Sequence, residues 1–384
     1  MLLLDLPNEI LARIVMSHDT ASPFDVGLLE KPKSALGPRE TNDGIRLMSV
    51  PAGSNRQNAL KNLTLTCRLI RAVALPVLFK HAVLHPLLLS DFLAFLKKHS
   101  LSHHVMSVVV HVSGHYNHIH PAWWARLLNE VPATRFSVVA PPEVFAELAN
   151  IHSWSNDAWA FDMPVQVLRF DQSLEATRTK IDYDDLPNFL VGRPWECMVY
   201  NEGSSLSAYT TYEFFLRRTP SLLTALHFNS SAAGDALFAN LLQFDFIAIF
   251  PFYNHVDEVL KCIRKMKRLQ KLFVKLCPEP GSTAFDDEME VAGGALDVHD
   301  PWNECETSWM LIAHTVLFLT VEGELHELHM DDVKIEGLRQ NLETALNDRL
   351  HERWRYREQG SGIWRRSLRG GQGEAREARE MNPA

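Results

Sequence analysis

The sequence has few cysteines and no long apolar run. Its 384 residues include five cysteines, and no two of them are spaced as Cys-x-x-Cys. Because the number of cysteines is odd and they are far apart in sequence, a disulfide framework or a four-cysteine zinc site is not expected, and reduced thiols are. The most apolar runs, residues 241–252 and 311–321, are shorter than the roughly 20 residues that a membrane span needs. The amino terminus also lacks the basic segment of a signal peptide. We therefore expect a protein of the cytoplasm, the nucleus or both, with no membrane partner.

Positive charge and catalytic motifs are also scarce. Lys and Arg number 38 against 47 Asp and Glu, a net charge of −9, which argues against a nucleic-acid partner. Residues 349–369 reverse the sign with seven Arg against two Glu, and we interpret them as a solvated helix face with a loose tail. The sequence contains no G-x-G-x-x-G, P-loop, G-x-S-x-G or H-E-x-x-H motif. It therefore predicts no cofactor and no intrinsic active site.

One group of histidines has a spacing that could suit a metal. His111, His115, His118 and His120 could together bind zinc or nickel. No cysteine or carboxylate accompanies them in sequence, so we interpret them as solvated histidines and predict no metal site. A metal-dependent hydrolase that uses residues 111–120 remains a minor alternative.

The amino-terminal region predicts three short helices and a strand. Residues 5–17 carry an apolar stripe that includes Leu6, Ile10 and Ile14, which is typical of an amphipathic helix. Residues 18–57 hold four Pro and four Gly and predict a long loop. Helical spacing resumes over 58–67 and 70–75, the second helix ending before Pro76. A strand is predicted over 80–85.

Residues from about 105 onwards alternate between apolar runs and helical patterns. Four runs share one spacing: Val165-x-x-Leu168-x-Phe170, Leu223-x-x-Leu226-x-Phe228, Leu269-x-x-Leu272-x-Val274 and Leu325-x-x-Leu328-x-Met330. Weaker runs centre on Val110, Phe136, Met198 and Ile247. Helices are predicted between the runs, over 122–130, 142–150, 209–218 and 255–267. The runs recur about every 27 residues, the period of leucine-rich repeats. The alternative is an ordinary βαβ sheet.

The carboxyl-terminal third departs from this alternation. Residues 281–305 are acidic and contain glycine, and we predict a loop. Residues 336–357 predict a helix, with Leu338, Leu342, Leu346, Leu350 and Trp354 at four-residue spacing, which would cover the last repeat. Beyond residue 358 the chain is rich in Gly, Arg and Glu and predicts disorder.

A two-part motif occupies the first eighty-odd residues. The first part is Leu6-Pro7-Asn8-Glu9-Ile10-Leu11 followed by Ile14, and the second is Asn62-Leu63-Thr64-Leu65-Thr66-Cys67-Arg68 followed by Arg71, Ala74, Pro76, Leu78 and Phe79. In this order the two parts resemble the F-box family, in its filamentous-fungal form. Two features depart from the family pattern: Ile70 stands where a Trp is common, and the forty residues 18–57 lie between the first and second helices, where the family has a short loop.

The resemblance implies an α/β protein with an N-terminal three-helix F-box and an irregular leucine-rich-repeat-like β/α solenoid. The expected boundaries are 1–85 for the F-box with the 18–57 insertion, 86–335 for the repeats, 336–358 for a capping helix and 359–384 for a disordered tail. F-boxes dock the Skp-type adaptor of a cullin–RING ubiquitin ligase. The residues expected to bind the adaptor are Leu6, Pro7, Ile10, Leu11, Ile14, Leu65, Cys67, Leu78 and Phe79.

The repeat body would then bind an unknown protein substrate. Alternation along each strand would direct Leu168 and Phe170 inward and their neighbours outward, onto a concave face. The expected substrate-binding residues are Arg135, Arg169, Asp171, His227, Asn229, Lys271, Lys275, His329 and Asp331. The predicted function is therefore a non-catalytic substrate-recognition subunit of a Skp–cullin–F-box ligase. The alternative from another class is a non-ligase scaffold that uses its F-box as an interaction surface.

Overall fold

The computed structural model describes residues 6–18, 28, 32, 39–41, 44–46, 55–112, 120–152, 156–182, 188–292 and 296–367. Within them the helices are α1 (Asn8–Met16), α2 (Asn55–Thr64), α3 (Arg68–Leu78), α4 (Leu89–Lys98), α5 (Trp123–Glu130), α6 (Pro142–Leu148), α7 (Leu222–Phe228), α8 (Ala232–Asn240), α9 (Tyr253–Ile263), α10 (Ala284–Ala292), α11 (Asp300–Glu322) and α12 (Glu336–Leu350). The strands are β1 (Arg39–Thr41), β2 (Gly44–Arg46), β3 (His81–Leu84), β4 (Ser107–His111), β5 (Arg135–Ala140), β6 (Gln166–Asp171), β7 (Cys197–Ser204), β8 (Gln243–Ile249), β9 (Lys271–Lys275), β10 (Glu327–Met330), β11 (Trp354–Tyr356) and β12 (Ile363–Arg366).

Ten of these strands form one open sheet, and the protein belongs to the α/β class. The strand order is β11-β12-β10-β9-β8-β7-β6-β5-β4-β3, so from β3 to β10 each strand lies beside its neighbours in the chain. Pairing is parallel from β3 to β5 and from β7 to β10. It is antiparallel where β6 joins β5 and β7, and in the final β10–β12–β11 group.

The two faces of the sheet differ in composition, because most charged residues of the strands lie on one of them, among buried apolar residues such as Val199 and Ile247. Alternate residues form an inner face that is at most 1% exposed: Val108, Val110, Phe136, Val138, Leu168, Phe170, Met198, Tyr200, Phe244, Phe246, Leu272, Val274, Leu328 and Met330. Helices cover this face, with Trp123 of α5 on Phe136 and Phe145 of α6 on Tyr200. The prediction that Leu168 and Phe170 point inward is therefore confirmed. We call the opposite side the polar face.

Helices α1–α3 form a small N-terminal bundle with its own core. Val15, Leu60 and Ala74 form a buried cluster within it, and Leu11 and Ile70 are buried as well. Helix α3 also reaches the main core through Leu75, and Phe79 at its end stacks on Phe95 with ring centroids 5.0 Å apart. The bundle is thus attached to the sheet by the end of α3.

Several predicted elements differ in the structure. Residues 223–228 form helix α7 rather than a strand, because Leu-x-x-Leu is also a helical spacing and Ser221 caps the helix by accepting from Leu223 N and Thr224 N. The predicted helix over 209–218 is replaced by two 3-10 turns, Leu206–Thr210 and Phe214–Leu216. The predicted loop 281–305 instead contains α10 and the start of α11. Helix α3 continues past Pro76 by almost one turn.

The predicted loop over 18–57 is also not uniform. Its described residues include the antiparallel β1–β2 pair and the start of α2. Leu28 is buried in the main core, and its carbonyl oxygen accepts a hydrogen bond of 2.7 Å from Asn201 Nδ2. This long segment therefore contacts the end of β7.

The carboxyl terminus corrects two further predictions. Helix α12 ends at Leu350, and Trp354 lies in β11 rather than on the helix. Residues 363–366 form β12, with Trp364 buried, so the predicted disorder is wrong there; residues 368–384 lie outside the described ranges. Gly362 adopts φ +66, where a Cβ would collide with the Met330 carbonyl. The glycines of this region form a hairpin turn, which composition alone does not distinguish from a disordered tail.

Candidate functional site

The polar face of the sheet carries most of the residues predicted to bind substrate. Arg135, Asp171 and Lys271 lie in one row across the strands, and Arg169 and His329 lie in the next row. The rows also contain residues that the sequence reasoning missed: Cys197, Gln243, Asp245 and Glu327. Alternation from the inner residues Met198, Phe244 and Leu328 is the signal that could have found them.

The charges in these rows neutralise one another. Asp171 lies 3.1 Å from Arg135 and 3.7 Å from Arg169. Glu327 lies 2.9 Å from Arg365 and 3.8 Å from Lys271. Because each carboxylate lies close to positively charged side chains, little net charge is left to attract a charged partner. The charged side chains of the polar face are therefore paired mainly with one another.

Lys275 and Asp331 do not face solvent, contrary to the prediction. The Lys275 ammonium lies 3.0 Å from Asp331 and 2.9 Å from Glu279, and both members of the first pair are buried. Burial alone would lower the pKa of Lys275, but Glu279 and Asp331 outweigh it and raise that pKa. Burial would raise the pKa of Asp331, but Lys334 and Lys275 outweigh it and lower that pKa. The two residues form an internal ion pair.

The thiol of Cys197, which lies in the same row as the charged pairs, is not activated as a nucleophile. Burial and the neighbouring carboxylate of Asp171 raise the pKa of Cys197 to about 11. Burial also raises the pKa of Asp245. A thiol with so high a pKa is protonated near neutral pH and is a poor nucleophile.

His227 and Asn229 lie away from the polar face, because their segment is helical. Asn229 caps the end of α7, and its Nδ2 donates to Ala225 O at 2.7 Å and to His152 O at 3.0 Å. His227 Nε2 lies 3.6 Å from Glu258 of α9. Phe228, which lies between them, and Glu258, which His227 faces, both line a cleft.

That cleft is a cavity of about 170 Å³ between α7, α9 and the chain before Thr219. The side chains that shape it include Arg217, Arg218, Thr219, Phe228, His255 and Glu258. Arg217 lies 3.3 Å from Asp157 and stacks 5.0 Å from the Trp159 ring. Arg218 lies 5.6 Å from the Phe228 ring. We call this feature the arginine cleft.

A buried network lies next to the arginine cleft. Ser221 Oγ donates to Glu202 Oε1, and His255 Nε2 donates to Glu202 Oε2 at 2.6 Å. Ser221 Oγ also accepts from two amides at the start of α7. A hydrolytic triad places the imidazole against the hydroxyl, whereas here the carboxylate separates them. This arrangement joins β7, α7 and α9 and provides no activated hydroxyl.

The residues predicted to bind an adaptor are divided between surface and core. Ile10, Ile14 and Leu65 are exposed to 39%, 38% and 78%, Pro7 is exposed and Leu6 is half-buried. Leu11 is buried, and Phe79 and Leu78 are half-buried against the two cores. Cys67 caps α3, its Sγ accepting from Ile70 N at 3.5 Å. Leu69 and Met16 are exposed apolar residues that the sequence reasoning missed.

The histidine group is only partly described. His111 lies in β4 and is buried, not solvated as predicted, and burial together with the charge of His85 lowers its pKa to about 4. His120 is exposed and accepts from Ala122 N at 3.1 Å, while His115 and His118 lie outside the described residues. Among the residues that are described, no three His, Cys, Asp or Glu side chains are grouped to hold a metal ion.

No family model, curated protein or solved structure matches the chain. Over the described ranges, no helix combines the length and apolar composition that crossing a membrane requires.

Proposed function

We propose that this protein is the substrate-recognition subunit of a Skp–cullin–F-box ubiquitin ligase. In this proposal the bundle α1–α3 is an F-box of the filamentous-fungal type that docks the Skp-type adaptor. The sheet with its helices is a divergent leucine-rich-repeat-like body that holds the protein substrate. The ubiquitin chemistry belongs to the partners, and this chain contributes binding without a cofactor.

The observation that carries the proposal is an exposed apolar strip on the bundle. Ile10, Ile14 and Met16 on α1, Leu65 in the turn between α2 and α3, and Leu69 in the first turn of α3 are all at least 38% exposed. The bundle has only a small core, clustered around Val15, Leu60 and Ala74, so it is too small to cover every apolar residue it carries. Large exposed apolar residues concentrated on one small unit are typical of a site for a protein partner. Three of the five residues, Ile10, Ile14 and Leu65, belong to the motif that resembles the F-box.

The strand order supports the proposed body. From β3 to β10 the strands are added one after another in chain order, as in an array of strand–helix repeats. The antiparallel strand β6 interrupts the regular pattern. We therefore propose a repeat-derived body in which this region is irregular.

The test is recovery of the Skp-type adaptor by the full chain. Ile10→Asp with Ile14→Asp places two charges on the strip without removing a buried side chain. Because truncating a single interface anchor often costs more than about 1 kcal/mol, we expect at least a tenfold loss of adaptor in a pull-down at equal expression. Val321→Asp, which changes an exposed apolar residue of α11, is the matched control and should recover the adaptor normally.

Blotting the same pull-down for cullin separates the proposed function from the scaffold alternative. Adaptor with cullin supports a ligase subunit, and adaptor without cullin supports a scaffold. Unchanged recovery by the Ile10/Ile14 variant would contradict the F-box assignment itself.

A further inference from the structure

A row of buried residues crosses the polar face of the sheet. Val139, Val167, Asn201 and Ile247 lie opposite one another on β5, β6, β7 and β8, and each is at most 3% exposed. Successive side chains of a strand point to opposite sides of the sheet, so the helices on the inner face do not cover these residues. They are therefore covered from the other side. We call these four residues the buried row.

Part of the cover comes from the 18–57 insertion. Leu28 is 7% exposed and belongs to the main core, and its carbonyl oxygen accepts from Asn201 Nδ2 at 2.7 Å. Asn201 Oδ1 accepts from Gly203 N at 2.9 Å, which holds the side-chain amide in this orientation. Pro32 is also buried, and its Cδ lies 3.7 Å from the position that a Gly203 Cβ would take. Residues of the insertion thus lie against β7 at two points.

The contact at Asn201 has the chemistry of peptide recognition. Val167 and Ile247 provide apolar surface on either side of Asn201. The buried Asn201 amide needs an acceptor, and every residue of a polypeptide carries one in its backbone carbonyl. Leu28 supplies both a buried leucine side chain and that carbonyl oxygen. A leucine-bearing segment of another chain has the same two groups.

Leu28 reaches the buried row from outside the body. The 18–57 insertion lies in the chain between α1 and α2 of the bundle, whereas strands β3–β10 follow one another in the sheet without it. Removing Leu28 from the row therefore breaks no strand pairing of the sheet. The contact resembles that of a ligand on a preformed surface more than that of a structural strand.

We propose that the buried row is a binding site for a leucine-bearing segment of the protein substrate, and that Leu28 occupies it as an internal competitor. The substrate places its leucine on the row and a backbone carbonyl oxygen on Asn201 Nδ2. Because Leu28 must leave first, the apparent affinity falls in proportion to the fraction of chains in which the row is open. This inference rests on the proposed function and adds the site, the kind of segment that binds there and its competitor.

The test measures the binding of a fluorescein-labelled peptide, with the sequence of residues 24–36, to the full chain by fluorescence anisotropy. Leu28→Asp should remove the internal competitor, because burying a charge is costly, and this chain should bind the peptide at least tenfold more tightly than the wild type. Leu87→Asp, at an exposed leucine outside the insertion, is the matched control and should bind it as the wild type does.

A second variant decides the question if Leu28→Asp loses its cooperative thermal unfolding. Leu28→Ala shortens the side chain without adding a charge, and it should raise the affinity for the peptide at least threefold. Equal affinity of the wild type and the Leu28 variants, or no binding by any of them, would overturn the proposal.

Two altered peptides locate the contact without changing the protein's fold. A peptide with Asp in place of the leucine that corresponds to Leu28 should bind the Leu28→Ala chain at least tenfold more weakly, because the row offers apolar surface. A peptide with photo-leucine at that place should, on irradiation, cross-link to β6, β7 or β8, as identified by mass spectrometry. Undiminished binding of the Asp peptide, or cross-links only to other elements, would refute the assignment.

The outcome is independent of the adaptor experiment. Adaptor recovery without peptide binding refutes only the site on the buried row, whereas peptide binding with an unaffected Ile10/Ile14 variant refutes only the F-box function.

Discussion

The N-terminal bundle and the sheet body use apolar residues in opposite ways. The bundle has a small core around Val15, Leu60 and Ala74 and leaves Ile10, Ile14 and Leu65 at the surface. The body buries a continuous core along the whole inner face of the sheet, and its polar face pairs its own charges. Burial grows with domain size. We therefore expect the body to be stable by itself and the bundle to depend on contacts beyond its own core, such as that of Leu75 with the main core.

The largest expected effect tests whether the body's core extends to its last strand. Trp364 is 1% exposed, its Nε1 donates to Asn347 Oδ1 at 2.8 Å, and it stacks on Tyr356. We expect Trp364→Ala to lower the free energy of unfolding in urea by about 3–5 kcal/mol. Arg366→Ala on the same strand, an exposed position, should change it by less than about 0.5 kcal/mol. If the two variants changed the free energy of unfolding equally, Trp364 of β12 would not contribute to the core of the body.

The second prediction tests whether the bundle unfolds separately from the body. Leu11 is buried, so Leu11→Ala should destabilise the bundle by about 2–4 kcal/mol. Hydrogen exchange should then accelerate for the amides of α1–α3 and stay unchanged for β4–β9. Ile10→Ala, at an exposed neighbouring position, is the control and should leave both sets unchanged. If hydrogen exchange accelerated equally in β4–β9, the bundle and the body would unfold as one cooperative unit, and the prediction would be wrong.

The smallest expected effect is a pH dependence specific to the body. The pKa of His111, lowered to about 4 by burial and by His85, lies below the roughly 6.5 of an unfolded histidine. Folding therefore favours the neutral ring: the stabilisation is complete above pH 6.5 and is lost as the pH falls towards 4. Between pH 7 and pH 5 we expect His111 to account for a loss of about 2 kcal/mol. His111→Asn should flatten this part of the unfolding curve, and the exposed His120→Asn should not.

The sequence predicted the strands well where alternation and apolar spacing agree. The runs around Val110, Phe136, Leu168, Met198 and Ile247 all lie in strands of the sheet. Prediction failed where one spacing suits two structures: Leu223 and Leu226 fit a helix face as well as a repeat strand. The glycines and arginines near the carboxyl terminus have the composition of a disordered segment. Composition does not show that Trp364 packs into the core.

The candidate sites were predictable to different degrees. Membership of the polar face follows from strand alternation, but its pairing does not, since Arg135 and Asp171 meet only through the antiparallel register of β5 and β6. Burial of Leu11 depends on how α3 packs against α1, which a single helical stripe does not determine. The arginine cleft is formed by residues from separate segments, such as Arg217 and Glu258. No local sequence pattern could therefore predict it.

The order of the strands has a consequence for how the chain folds while it is synthesised. From β3 to β10 every strand pairs with the one made just before it. Each new strand therefore finds its partner edge already present, and few contacts must wait for distant parts of the chain. Pairing between consecutive strands keeps the loop that each pairing closes short, which lowers the entropic cost of closing it. Growth of the sheet from the amino-terminal side during translation should limit the time for which an apolar edge is exposed to aggregation.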